Sequence, residues 1–117
     1  MEITNAVTAL GALAQDTRLE TYRLLVQAGP EGLAAGEVAA RLGLPPNTLT
    51  FHFDRLRQAG LVTVRRNGRS MIYAARYDAM NALLGYLTEN CCQGRECGPA
   101  RRKAAAPSVP SRREKVT

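Results

Sequence analysis

Cysteine is absent from the first ninety residues, and the chain of 117 residues contains only three: Cys91, Cys92 and Cys97. An odd number confined to one end argues against the disulfide framework of a small secreted protein. It favours a cluster of thiolates that serves a soft ion or redox chemistry. Residues 91–97 are therefore the predicted sensing segment.

Long apolar runs are also missing. No uninterrupted apolar stretch approaches the length that spans a bilayer, and the N-terminus shows no basic region followed by such a stretch. We therefore expect a soluble, cytoplasmic protein with no membrane partner, whose reducing surroundings keep the thiols available. With 45% hydrophobic residues, a chain of this length can bury one modest core, which predicts one domain.

Catalytic groups are scarce. Histidine occurs once, at His52, and the chain has no phosphate-binding loop and no paired carboxylates. A cysteine without a nearby histidine base is a poor nucleophile for covalent catalysis. The sequence therefore predicts that the protein is not an enzyme.

The formal charge of +6 is unevenly distributed. Residues 98–117 hold six basic side chains and one acidic one, a net charge of +5, which leaves +1 for residues 1–97. Their proline, alanine and charge content predicts a disordered basic tail at 98–117, after one folded domain at 1–97. Between Asp54 and Asp78 the chain has six arginines and no acidic residue. Such a stretch fits a surface that faces phosphates, although a solvated basic face would have the same composition.

Hydrophobic periodicity predicts four helices, at about residues 4–13, 16–28, 35–42 and 46–59. Thr17 and Glu20 have the spacing of a capping box for the second helix. Two strand-like segments around Asn67-Gly68 predict a β-hairpin, because this pair suits a tight turn. Asp78 can cap a fifth helix, whose apolar residues recur at helical spacing. The expected apolar residues are Val7, Leu10, Leu13 and Ala14 in the first helix and Met80, Leu83, Leu84, Leu87 and Cys91 in the fifth.

This order predicts a mainly α protein with a small β-hairpin, an α+β winged helix-turn-helix. A two-stranded sheet is too small to bury the apolar stripe of the fifth helix. That stripe, together with the small-residue face of the first helix, is therefore the predicted interface of a homodimer.

The predicted DNA-binding surface lies on the fourth helix. Because Leu49, Phe53 and Leu56 have core spacing, other residues are left for the outer face, where amide, hydroxyl and guanidinium groups can contact bases or phosphates. An exposed Phe51 can contact a thymine methyl group, although Phe51 could instead be core and Asn47 only a first-turn residue. The predicted contacts with double-stranded DNA are Asn47, Thr48, Thr50, Phe51 and Arg55 on the helix and Arg65, Arg66 and Arg69 on the hairpin.

Four segments together resemble the ArsR/SmtB family of metal-responsive repressors: LAQDTRL (13–19), LGL (42–44), HFDRLRQAGLV (52–62) and RNGR (66–69). The resemblance implies a homodimer that binds an operator and releases it when an ion binds. It also implies that the fourth helix enters the major groove, that the hairpin touches the backbone or minor groove, and that the first and last helices dimerise. His52 matches a groove-facing histidine of the family, which implies that it contacts DNA or forms a nearby hydrogen bond rather than binding metal. Pro45 departs from the usual polar cap of this helix.

The resemblance also bears on the sensor. Ala34 and Gly36 stand where one arsenic site of the family has cysteines, and Met80, Cys91 and Gly94 stand where its zinc site needs histidines or carboxylates. The remaining cysteines resemble the C-terminal trio of an arsenic-responsive subgroup. Three thiolates suit As(III), which binds three sulfur atoms, and Sb(III) should fit as well. Structural zinc is less suited to this set, because it prefers four ligands.

Adjacent cysteines on a helix point about 100° apart. We therefore expect capture of the ion by Cys91, Cys92 and Cys97 to unwind the end of the fifth helix and alter the dimer. The alternatives are a thiol redox switch, a Cd(II)- or Pb(II)-responsive repressor, and a constitutive DNA-binding protein with an inert cluster.

Overall fold

The structure is a computed structural model, and it describes residues 1–94. The chain separates into two compact units, Met1–Leu87 and Thr88–Thr117. The boundary predicted between residues 97 and 98 lies outside the described residues, as does the predicted tail. Within residues 1–94, no helix is long and apolar enough to cross a membrane.

The predicted winged helix-turn-helix, mainly α with a small β-hairpin, is confirmed. Residues 1–94 form five α-helices and three short strands, with a single 3-10 turn at the end of this range. The elements in chain order are α1 (Ile3–Leu13), α2 (Asp16–Ala28), β1 (Leu33–Ala34), α3 (Ala35–Leu42), α4 (Pro46–Gln58), β2 (Val62–Asn67), β3 (Ser70–Ala75), α5 (Tyr77–Leu87) and the 3-10 turn Cys91–Gly94.

Strand β1 was not predicted and extends the hairpin to a three-stranded antiparallel sheet of order β1-β3-β2. Leu33 lies opposite Tyr73, and Ala34 lies opposite Ile72. Gly32, immediately before β1, has a φ of +76°, and a Cβ added there would collide with the carbonyl oxygen of Tyr73. A strand of two residues has no alternating pattern, which is why periodicity did not predict it.

The predicted hairpin is confirmed, with one change at its turn. Strands β2 and β3 pair in register down to Asn67 opposite Ser70. Gly68 and Arg69 form the two-residue loop, and Gly68 has a φ of +64°. Asn67 belongs to strand β2 and not to the turn. Gly68, at the first central position of the turn, is therefore the only glycine needed for the turn to match the twist of the two strands.

Helix α1 buries a different face from the predicted one. Ala6, Ala9 and Ala12 are 2–5% exposed, whereas Val7 and Leu10 are 62% and 42% exposed. The helix packs against α2, α4 and α5. Small side chains allow this close approach, and they place the larger apolar residues on the outside. The prediction that the small-residue face of the first helix belongs to the dimer interface is therefore wrong, because these alanines are buried within the monomer.

The core lies between the helices and the sheet. Leu25, Leu49, Phe53 and Leu56 are at most 1% exposed, which confirms the predicted inner face of α4. The ring of Phe53 stacks on that of Tyr73, with 3.7 Å between centroids and an interplanar angle of 2°. This contact fixes α4 against β3, so the position of its outer face is set by the packing of its inner face.

Helix α2 begins differently from the prediction. The side chain of Gln15 accepts a hydrogen bond from the backbone N–H of Arg18 at 2.8 Å and so caps the helix. The capping box predicted for Thr17 and Glu20 is wrong, because the helix starts at Asp16 and Thr17 already lies within its first turn.

Candidate DNA-binding surface and thiol segment

Helices α3 and α4 are joined by a three-residue turn. Gly43 adopts the left-handed conformation after α3, and the N–H of Leu44 donates to the carbonyl of Ala39 at 3.0 Å. This hydrogen bond closes the end of α3 and reverses the chain. Pro46 then begins α4, where its fixed φ suits the first helical position. The cap residue Pro45 offers no side-chain acceptor, so the first amide groups of α4 have no side-chain cap.

The outer face of α4 carries exposed side chains at five of the six positions predicted to contact DNA. Phe51 is 57% exposed, an unusual exposure for a large aromatic ring. The hydroxyl of Thr50 donates to the carbonyl of Pro46 at 3.0 Å, so part of its hydrogen-bonding capacity is used within the helix. The exposed residues are Asn47, Thr48, Thr50, Phe51 and Arg55.

His52 is the exception on α4. It is 8% exposed, and its Nδ1 atom is buried without a hydrogen-bond partner among the described residues. Burial lowers the pKa of His52, and the positive charge of Arg18 lowers it further. The side chain is buried because His52 lies on the same face of α4 as Leu49, Phe53 and Leu56. Its contact with DNA stays a prediction.

Arg18 is a buried residue that lies near α4, and its position was not predicted from the sequence. Only 8% of the residue is exposed, and its Nε donates to the carbonyl of Ala12 at 2.7 Å. This bond joins the start of α2 to the end of α1, and the guanidinium lies near His52 of α4. No spacing rule marks an arginine as buried, so the sequence offered only its place in the LAQDTRL segment.

Arginines of the acid-free stretch fall into two groups. Arg57 pairs with Asp54 at 3.7 Å, and Arg76 pairs with Asp78 at 3.0 Å. The Arg76 guanidinium lowers the pKa of the Asp78 carboxyl by donating a hydrogen bond to it. The remaining group forms no ion pair with another described residue and lies exposed on α4 and around the hairpin loop: Arg55, Arg65, Arg66 and Arg69.

Helix α5 ends at Leu87, before the cysteines. Cys91 belongs instead to the 3-10 turn, where its N–H donates to the carbonyl of Thr88 at 2.9 Å. The prediction that Cys91 continues the apolar stripe of α5 is therefore wrong. Asn90, Cys92 and Gln93 have φ values between 55° and 58°, which break the helix and are uncommon for residues with side chains.

Both described cysteines lie in this turn. Cys91 is an exposed, free thiol, whereas Cys92 is disulfide-bonded. Cys97 lies outside the described residues. Within residues 1–94, no three side chains of His, Cys, Asp and Glu converge as a metal site. The three-cysteine site thus remains a prediction, and Cys92 must be reduced before it can serve as a thiolate ligand.

Large apolar side chains are exposed on the two helices predicted to dimerise. On α1, Ile3, Val7 and Leu10 are 66%, 62% and 42% exposed, at a spacing that places them along one side of the helix. On α5, Leu87 is 54% exposed. Between α1, α2 and α5 lies a cavity of about 380 Å³ with a largely apolar lining that includes Tyr22. Exposed apolar surface of this kind is typical of a protein–protein interface.

Comparison with known proteins relates the chain to transcriptional regulators. A family model described as a helix-turn-helix domain matches residues 13–65. The chain is 35% identical over 77 residues to the uncharacterized HTH-type transcriptional regulator YceK of Bacillus subtilis, covering 65% of this chain and 76% of that protein. It is 30% identical over 91 residues to the transcriptional activator HlyU of Vibrio cholerae, covering 78% of this chain and 82% of that protein.

Solved structures agree with this relation at the level of the fold. An ArsR-like transcriptional regulator from Rhodococcus sp. RHA1 superposes with a TM-score of 0.67 at 24% identity, covering 78% of this chain and 83% of that one. A possible transcriptional regulator for arsenical resistance superposes with a TM-score of 0.60 at 25% identity, covering 68% and 79%.

Proposed function

Because the chain belongs to the helix-turn-helix transcriptional regulators with the ArsR-like winged fold, we propose that it is an arsenite-responsive repressor that acts in the cytoplasm. A homodimer binds operator DNA through α4 and the β2–β3 hairpin, the wing of the fold. It leaves the operator when As(III), or Sb(III), binds the thiolates of Cys91, Cys92 and Cys97. The regulators are not enzymes, and no catalytic role is proposed.

The observation that carries the DNA-binding role is the outer face of α4. It presents an amide, two hydroxyl groups, an aromatic ring and a guanidinium, all exposed and held by a buried inner face. These groups can contact base edges in the major groove, which is wide enough to admit a helix. The wing arginines are free of acidic partners among the described residues, so they can neutralise phosphates and position the helix.

The homodimer is supported by the exposed apolar faces of α1 and α5. A monomer that exposes Ile3, Val7 and Leu87 would leave more than half of each side chain in water. Burying these residues against a second copy returns hydrophobic free energy of about 25 cal/mol per Å². A two-fold dimer presents two copies of α4, one for each half-site, and half-sites on successive major grooves lie about 34 Å apart.

The inducer is supported by ligand chemistry. Once reduced, the three cysteines of residues 91–97, with no histidine near them in the sequence, form a soft donor set, which favours As(III) over metals that need harder or additional ligands. The similarity to a possible regulator for arsenical resistance points to the same ion. Since α5 ends before the cysteines, capture of the ion would reorganise the segment after α5, rather than unwind α5 as the sequence suggested.

An operator gel shift with arsenite, antimonite, Cd(II), Pb(II), Zn(II) and peroxide side by side tests this proposal. Arsenite should release the wild-type protein. Cys91→Ser, Cys92→Ser and Cys97→Ser should each bind the operator normally and resist release, whereas the control Gln93→Asn should respond like wild type. Release of all three serine variants by arsenite would refute the sensor, and selective release by Cd(II) or Pb(II) would identify a different ion.

A thiol redox switch is the second candidate, and the disulfide at Cys92 favours it. Peroxide would then change operator binding without a metalloid, and dithiothreitol would reverse the effect.

If no ligand and no oxidant alters binding, the protein is a constitutive DNA-binding protein. Because the related HlyU is a transcriptional activator, in vitro transcription from the operator should accompany the gel shift; repression is the expected direction.

A further inference from the structure

Phe51 is an apolar ring on a surface that is otherwise polar. It is 57% exposed, while Phe53, the other phenylalanine of α4, is 1% exposed. A ring left in water costs hydrophobic free energy that inward packing would recover. Its exposure on the proposed DNA-contacting face of α4 therefore suggests a contact that is completed by the DNA.

The ring is supported from one side. Its centroid lies 5.8 Å from that of His52, and the two rings meet edge to face at 63°. Because His52 is itself buried, it provides a fixed surface for Phe51. A contact of this kind restricts the ring before DNA arrives, so less conformational freedom is lost on binding.

Phe51 lies in line with two polar neighbours on α4. Asn47 is four residues before it and Arg55 four residues after it, so the three side chains follow one another at about 6 Å along the helix. Thr50, beside them, already donates its hydroxyl proton to the carbonyl of Pro46. The row therefore offers an amide, an apolar ring and a guanidinium in that order.

Among the four bases, only thymine presents an apolar group, its C5 methyl, in the major groove. We infer that Phe51 reads this methyl group and so specifies an A·T pair at one position of each operator half-site. The inference rests on the proposed DNA-binding function, and it adds a base preference that hydrogen-bonding residues do not supply.

The test uses the full chain and a duplex selected by the wild-type protein from a random library. Each thymine of the selected duplex is replaced in turn by deoxyuridine, which lacks only the methyl group. For wild type, one thymine per half-site should show about a fourfold loss of affinity, the value expected for one buried methyl-sized group. Replacing both symmetry-related thymines should cost about sixteenfold.

Two variants of equal side-chain length separate apolar contact from shape. Phe51→Met should keep the preference for thymine over deoxyuridine, whereas Phe51→Gln should bind both duplexes equally. The control Arg65→Gln, on the wing, should weaken binding to both duplexes and leave their ratio unchanged. Measurements at low salt keep weak complexes observable, because phosphate contacts then contribute more.

Two results would overturn the inference while leaving the proposed function intact: no deoxyuridine effect at any thymine for wild type, or an unchanged effect in Phe51→Gln. Failure of the wild-type protein to enrich any duplex would overturn both the proposed function and this inference.

Discussion

His52 is the only histidine of the chain, so its titration can be measured without interference from another imidazole. Burial and the charge of Arg18 lower the pKa of His52 below that of the unfolded chain. The unfolded state therefore binds the proton more readily, and the free energy of unfolding falls as the pH drops below about 6.5. The slope is at most about 1.4 kcal/mol per pH unit.

We expect urea denaturation between pH 7.5 and 5.5 to show this loss in wild type. His52→Gln should show a nearly flat profile over the same range, because carboxylates titrate mainly below it. An equally steep profile in His52→Gln would show that another group causes the pH dependence.

Gly32 is the second residue whose role depends on its surroundings. It combines a positive φ with a position where an added Cβ would collide with the carbonyl oxygen of Tyr73. Gly32→Ala should lower the free energy of unfolding by about 3 kcal/mol, since it adds both backbone strain and a clash with β3.

Gly36→Ala is the matched control: it has no neighbour within 4 Å of the new Cβ and lies in α3. It should be neutral or stabilising by up to about 1 kcal/mol. Thermal denaturation of both variants checks the contrast, and equal effects would contradict it.

The start of helix α2 gives a prediction at the scale of one element. Gln15 accepts the N–H of Arg18, and Arg18 in turn holds the end of α1 through its Nε. Gln15→Ala should cost about 1 kcal/mol of unfolding free energy, the usual value of a lost cap. Glu20→Ala should change it by less than about 0.5 kcal/mol, since the capping box does not form. The reverse order of the two effects in denaturant titrations would restore the capping box.

Elements with a strong local signal were predictable from the sequence, and those that depend on tertiary contacts were not. Leu49, Phe53 and Leu56 repeat at helical spacing, so the inner face of α4 and therefore its outer face followed directly. The two-residue strand β1 exists only because β3 pairs with it, and α1 buries alanines because its neighbours approach closely. Likewise, nothing in the local pattern showed that α5 ends at Leu87.

The charge of the whole molecule bears on how it meets DNA. Residues 98–117 carry a net charge of +5, whereas residues 1–97 carry +1. The electrostatic potential of the proposed DNA-contacting surface therefore depends on where a few arginines lie more than on the total charge. Arginines that pair with a carboxylate, such as Arg57 and Arg76, add little to this potential. In the proposed homodimer, operator binding would therefore depend on the alignment of two copies of this surface.

Dimerisation is testable through the exposed apolar residues. Val7→Glu and Leu87→Glu each place a charge on a face that is more than half exposed in the monomer. The monomer should tolerate both, since neither side chain contributes to the buried core, but a charge buried against a second copy has no partner. Sedimentation should therefore show monomers at concentrations where wild type is dimeric. Operator affinity should fall by at least about a hundredfold, because the two half-sites are no longer bound together.

Ala40→Glu supplies the control for this comparison, because it adds the same charge to an exposed position of α3, away from α1 and α5. It should sediment as wild type does. Circular dichroism should show the same helical content in all three variants, which separates loss of the interface from loss of the fold. If Val7→Glu and Leu87→Glu remain dimeric, the two copies associate through another surface. The distance between the two α4 helices would then be set by contacts other than those of α1 and α5.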